Sequence, residues 1–295
     1  MKNSDYTIPL NSQPNRATRL QKTLTGLMLS LVVAISTANA AVLYGTAGAS
    51  YTQDFDSLTS TSDTEPWKVG SVTWSNGSTL DSWYWADPDG FTAGTYTVVS
   101  RVSGDDGLAN QQDRPLSIGE YDTDRAFGTQ TRSDNSDTIS DFARFGLQLT
   151  NDTGATLNEF TLSFTAEQWR AIGGQPADQL TFDYQVFSSG GSLTAASAWT
   201  DVAAFTFTAP QTVASSDWLD GNDSANQEAF SETITGVNWG AGEELWLRWN
   251  DVSTKHAMMG IDDLSFVAAV PEPSSIAMLL IGGVAMGLTF IRRKK

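Results

Sequence analysis

The residues of this chain best suited to chemistry are its carboxylates, its tryptophans and a few isolated arginines. Asp87-Pro88-Asp89-Gly90, Asp105-Asp106-Gly107, Asp122-Thr123-Asp124 and Asp220-Gly221-Asn222-Asp223 all place side-chain oxygens on turns. Calcium takes roughly six to eight oxygen ligands at about 2.4 Å, and flexible Asp/Asn loops supply them, although none of these runs has the EF-hand spacing. Asp and Asn also favour turns simply because their side chains cap backbone groups. Asp262 and Asp263 lie instead in a strand-like run, where that explanation fails, and form the preferred pair for calcium.

Trp83-Tyr84-Trp85 is the densest aromatic cluster. On a strand Trp83 and Trp85 share one face, spaced to stack on successive sugar rings if exposed, with Asp81, Asp87 and Asp89 near enough to bond hydroxyls. The same rings could equally plug one end of a sandwich, since aromatics bury large areas. Arg125, Glu167, Arg170 and Arg248 are expected to form structural ion pairs, because an arginine in a strand with few cations nearby suits bidentate carboxylate binding. No nucleophile is placed beside a base, so no catalytic residues are expected.

Strands must carry these groups. From Ala41 to Ala269 short β-rich runs recur between Gly, Asn, Asp and Ser clusters, without a long helical period. The expected strands are 50–58, 67–75, 96–103, 125–128, 143–151, 156–167, 179–188, 199–208, 230–237, 244–250 and 260–267. Phe160-Thr-Leu162-Ser-Phe164 alternates as a half-buried strand should. Leu245-Trp-Leu247-Arg-Trp249 carries large residues on both faces, which predicts a central strand under covering loops. No fixed-period repeat is visible, which argues against propellers and solenoids. The pattern predicts an all-β, two-sheet sandwich or jelly roll.

Composition narrows the functions further. There is no cysteine and one histidine, His256, so disulfides, thiolate sites and multi-histidine zinc sites are excluded. The body holds thirty-two acidic and nine basic side chains, a net of −23, and all ten tryptophans. Such a field repels nucleic acid and other polyanions, while the aromatic content excludes disorder.

The two ends read differently. Leu24–Ser36 is an apolar run of signal-peptide length, preceded by Arg16, Arg19 and Lys22 and followed by the small-x-small pattern Ala38-Asn39-Ala40. Residues 1–40 are therefore expected to be a signal peptide with a short helix. At the other end, Pro271 and Pro273 make an extended spacer, and residues 276–291 are apolar or small throughout. With Ser274 and Ser275 this predicts a transmembrane helix over 274–291, stopped by Arg292, Arg293, Lys294 and Lys295 on the cytoplasmic side.

Val270-Pro271-Glu272-Pro273, the apolar span and the Arg/Lys end together resemble the PEP-CTERM sorting signal of Gram-negative bacteria. The resemblance implies an exosortase as processing partner, passage through the inner membrane, export to the cell surface or beyond, and association with exopolysaccharide and biofilm. It covers residues 270–295, leaving 41–269 as the β domain. Within that domain, Asp124-Arg125-Ala126-Phe127-Gly128, Glu167-Gln168-Trp169-Arg170, Leu219-Asp220-Gly221-Asn222, Leu247-Arg248-Trp249-Asn250-Asp251 and Gly260-Ile261-Asp262-Asp263-Leu264-Ser265-Phe266 resemble a domain recurrent in such proteins. The last stretch is similar to the closing strand of lectin-like jelly rolls. That likeness implies pairing beside Gln53-Asp54-Phe55-Asp56, which would gather Asp54, Asp56, Asp262 and Asp263 as a possible calcium site. The expected function is a non-catalytic, exported β-sandwich that binds glycan or builds matrix. The alternatives are a secreted glycoside-acting enzyme with a carboxylate pair, or purely structural export cargo.

Overall fold

A run that alternates apolar and polar side chains has one greasy face, which it can hide only by pairing into a sheet and packing that sheet on another. The computed structural model describes residues 41–58, 69–86, 93–100, 114–119, 124–130, 143–252 and 257–270, all within one compact unit, Ala38–Lys295. The leader (1–40), Pro271, Glu272, Pro273, the span 274–291 and the basic cluster Arg292, Arg293, Lys294 and Lys295 lie outside the described residues. Among the described residues no helix is long and apolar enough to cross a membrane.

Two sheets form. The first has seven strands in the order β1 (Val42–Tyr44), β8 (Ala143–Asn151), β15 (Glu244–Asp251), β10 (Gln179–Phe187) and β11 (Thr200–Asp201). In this sheet β4 (Trp83–Ala86) also pairs with β8, and β12 (Phe207–Thr208) with β10. The second has nine, in the order β13 (Asp217–Trp218), β9 (Leu157–Ala171), β16 (Met258–Ala269), β7 (Arg125–Gln130), β6 (Arg114–Gly119), β5 (Ala93–Ser100) and β3 (Val69–Ser75). Here β14 (Gln227–Trp239) lies along β9 and β2 (Ser50–Gln53) along β16. The expected strand at 199–208 is broken: a 3-10 turn at Ala203–Phe205 buries Phe205 between the short β11 and β12.

The core between the sheets is largely aromatic. Phe145 and Trp249 stack at 5.7 Å, Trp74 and Phe127 at 4.8 Å, and Phe55 meets Trp83 edge-on at 4.8 Å. Trp83 and Trp85 are only 0% and 1% exposed, and their indole N–H groups donate to Tyr51 and Thr129 inside the protein. The expectation that these two rings stack on sugars is therefore corrected: they point into the sandwich, and Tyr84 between them points out. Burying an indole removes ~200 Å² from water at about 25 cal/mol/Å², a gain of several kcal/mol that a surface position would forfeit.

At Gly128, in β7, an added Cβ would stand 2.1 Å from the carbonyl oxygen of Met259 and 2.6 Å from Gly260 Cα. Both obstacles are backbone of the neighbouring central strand and cannot swing aside. Gly128→Ala is accordingly expected to destabilise the fold by ~2–3 kcal/mol, read as a lowered urea midpoint with unchanged slope.

Candidate functional site

Two outward-facing regions concentrate polar chemistry, one on each sheet. On the second sheet, two β-bulges set the positions. In β16 an extra residue enters between Asp262 and Ser265, with Asp263 at φ 50°. In β9 the extra residue is Trp169, between Gln168 and Arg170. Asp is among the few side chains that tolerate the left-handed region, so the Asp-Asp pair makes the bulge possible. The bulge lies where β2 stops beside Leu264 and β7 begins beside Ile261.

That junction collects acids. Asp262 is 4% exposed and accepts the Asp263 N–H at 2.7 Å. Burial first, and then Glu167, a hydrogen bond to the Asp124 carboxyl and the charge of Asp263, push Asp262 up to about 9. Glu167, 2% exposed, accepts the Trp169 indole N–H at 2.9 Å. Burial, followed by the charges of Asp124, Asp263 and Asp220, raises it to about 8. Asp56 accepts the Arg125 backbone N–H at 3.1 Å and is raised by burial and by Asp54, Asp124 and Asp263. Of the four acids expected together, Asp56 feels the charges of Asp54 and Asp263, and Asp262 feels that of Asp263. Among the described residues, however, no group of three or more acidic or histidine side chains is arranged to hold a metal ion.

The expected ion pairs divide. Arg248 forms one, its Nε and Nη2 donating to the two carboxylate oxygens of Asp183 at 2.7 and 2.6 Å. Glu167 does not pair with Arg170: it accepts the Trp169 indole N–H, and Arg170 lies over Trp218 at 5.1 Å. Arg125 is buried, with its backbone tied to Asp56.

The first sheet presents its outer face differently. Cross-strand register places Tyr84 opposite Gly146, Gln148 opposite Trp246, and Arg248 opposite both Gly146 and Asp183. Residues 188–199 fold over this face as a strap. Glu244 holds one end by accepting the N–H groups of Gly190 and Gly191 at 3.0 and 2.9 Å. Arg248 holds the other, donating from Nη1 to the Leu193 carbonyl at 2.7 Å and lying 3.6 Å from the Trp199 ring centre. Gly191 is required there, because a Cβ would meet Trp246 Nε1 at 2.4 Å.

Between strap and sheet lies a cleft of about 310 Å³, whose walls include Tyr84, Gln148, Leu193, Thr194, Glu244 and Trp246. Tyr84 and Trp246 sit 4.7 Å apart, tilted by 49°. The Tyr84 hydroxyl donates to Gln148 Oε1 at 2.8 Å, leaving the Gln148 amide NH2 without a partner among the described residues. Burial, and then the charge of Glu244, raise the Tyr84 pKa, so the ring stays a neutral phenol. The cleft thus offers one half-buried aromatic ring, Tyr84, backed by the buried Trp246, with an amide donor and a carboxylate acceptor, the ingredients for holding a polyhydroxylated ring. Sequence reasoning missed Trp246, Gln148 and Glu244. The signal was present in the Leu245-Trp-Leu247-Arg-Trp249 alternation, which puts Trp246 and Arg248 on the face away from the core.

Comparisons with known proteins bear on the end of the chain. Residues 269–295 match the PEP-CTERM protein-sorting motif, so the chain carries an export and sorting signal whose processing partner is an exosortase. No curated protein sequence matches the chain. Among solved structures, a CBM22-1 xylan-binding domain from Paenibacillus barcinonensis is similar at 11% identity, covering 79% of this chain and 99% of that one with a TM-score of 0.34. A cleaved adhesin domain of Lys-gingipain from Porphyromonas gingivalis is similar at 14% identity, covering 63% and 91% with a TM-score of 0.35. At TM-scores this low neither likeness bears on what the chain binds.

Proposed function

From a chain that ends in a PEP-CTERM sorting motif, we propose a non-catalytic β-sandwich, delivered to the cell surface or beyond, that binds exopolysaccharide glycan in the cleft on its first sheet. The observation that carries this reading is the half-buried Tyr84 ring, backed by the buried Trp246, at a cleft where the Gln148 amide has no partner among the described residues. A sugar ring offers an apolar face for the aromatics and hydroxyls for Gln148 and Glu244. The non-catalytic part rests on placement. The cleft's one acidic wall residue, Glu244, is engaged by two strap N–H groups and the Trp246 indole N–H. The carboxyls raised toward neutrality, Glu167 and Asp262, belong to the other sheet.

Tyr84→Ala should weaken oligosaccharide binding about tenfold, since losing a stacking ring is worth about 1.4 kcal/mol. Titration calorimetry against a glycan panel reads this directly. Trp83→Phe, inside the core, should lower the melting temperature and leave affinity unchanged. Binding that survives Tyr84→Ala would move the ligand elsewhere, and reducing-sugar release from polysaccharide would replace the non-catalytic reading with a glycoside-acting one.

A further inference from the structure

Arg144 stands two residues from Gly146 on β8, on the same outward face as Tyr84. That separation along a strand is about 6.6–6.8 Å. Its Nε donates to Asn250 Oδ1 at 3.2 Å, which fixes the guanidinium plane. Among the described residues the two terminal nitrogens, Nη1 and Nη2, have no hydrogen-bond partner. In a body with thirty-two acids and nine bases, a half-buried cation that no carboxylate of the described residues binds is notable. The nearest candidate, Asp183, is committed through both oxygens to Arg248. Burial and then the neighbouring Arg248 draw the Arg144 pKa down, while Asp183 acts the other way. The guanidinium is thus half desolvated and, among the described residues, paired with no carboxylate of its own, and its Nη1/Nη2 fork has the planar geometry that a carboxylate accepts bidentately.

We propose that the cleft takes an acidic glycan, with one ring against Tyr84 and the carboxylate of an adjoining uronate unit held by Arg144. This rests on the glycan-binding reading above and names its substrate class. The repulsive field of the whole body does not forbid it. Distant acids are screened over about 8 Å at physiological salt, whereas a contact pair is not.

The test is calorimetric titration of the full β domain and tail with polygalacturonate, alginate and glucuronate-containing oligosaccharides, each beside its carboxyl-reduced counterpart. At least one acidic probe should bind about tenfold or more tighter than its reduced form, the fold-change expected of a charge-assisted bidentate contact. Arg144→Gln should erase that difference while leaving the reduced probe's affinity intact, and Arg144→Lys should restore part of it. Reduced probes that bind as tightly as the acidic ones, with Arg144→Gln silent, overturn the uronate assignment and leave glycan binding standing. A sulfated glucan captured as well as the best uronate overturns the carboxylate geometry. No binding by any probe, acidic or reduced, overturns the cleft reading itself.

Discussion

Raising the pH from about 5 to about 8 is expected to cost this fold on the order of 3 kcal/mol through Glu167 alone. The sign follows from the direction of the shift. Glu167 is held at about 8 against an ordinary value of 4.5, chiefly because its 2%-exposed carboxyl has lost water. The folded state therefore keeps a proton that the unfolded chain has released. The stability it contributes is complete below about pH 4, declines through neutrality and is gone once the folded carboxyl ionises near pH 8. Asp262, raised to about 9, pulls the same way, and Asp124, Asp263 and Asp220 surround the two with further negative charge. Glu167→Gln retains an acceptor for the Trp169 indole and cannot ionise. It should raise the melting temperature at pH 8 and flatten the profile between pH 5 and 8. A wild-type profile already flat over that range would mean that Glu167 is charged in the folded protein.

The other large effect is expected at the strap. Asp183→Ala removes both carboxylate oxygens from Arg248, whose side chain is 10% exposed, and leaves the guanidinium pressed between Trp199 and the sheet. Breaking a buried pair from one side costs about 3–5 kcal/mol, because the remaining charge is uncompensated. The loss should appear as a lowered denaturant midpoint. Since Arg248 also holds the Leu193 carbonyl, the strap should become more susceptible to proteolysis between residues 188 and 199. The double variant Asp183→Leu with Arg248→Met should recover much of the stability without recovering the strap's protection. An Asp183→Ala protein as stable as the parent would show that the pair contributes nothing net.

The fold class was readable because strand periodicity is a local property. Phe160, Leu162 and Phe164 alternate in sequence and all face the core, and the two-faced run at 245–249 is indeed central and covered. The pairing of the chain's closing strand beside Gln53 also held, joining Leu264 to Gln53. What periodicity could not supply was the direction of each face. Trp83 and Trp85 alternate as an exposed platform would, yet which side of β4 meets the other sheet depends on β8, some sixty residues away. Bulges were equally hidden. One extra residue at Trp169 shifts the register, setting Gln168 opposite Met259 and Arg170 opposite Met258, and nothing in the local spelling announces it. Pro115 disguised β6, which follows β5 in parallel and pairs antiparallel with β7.

The position of β16 has a mechanical consequence. It is the last described strand, it is bonded along one side to β9 and along the other to β2 and then β7, and the sorting motif begins at its final residue. A tether attached beyond Ala269 would pull along the axis of an interior strand. Its ladders on both sides would be loaded in shear, all rungs at once, whereas an outermost strand would unzip rung by rung. A domain loaded this way resists tension applied at its carboxyl end.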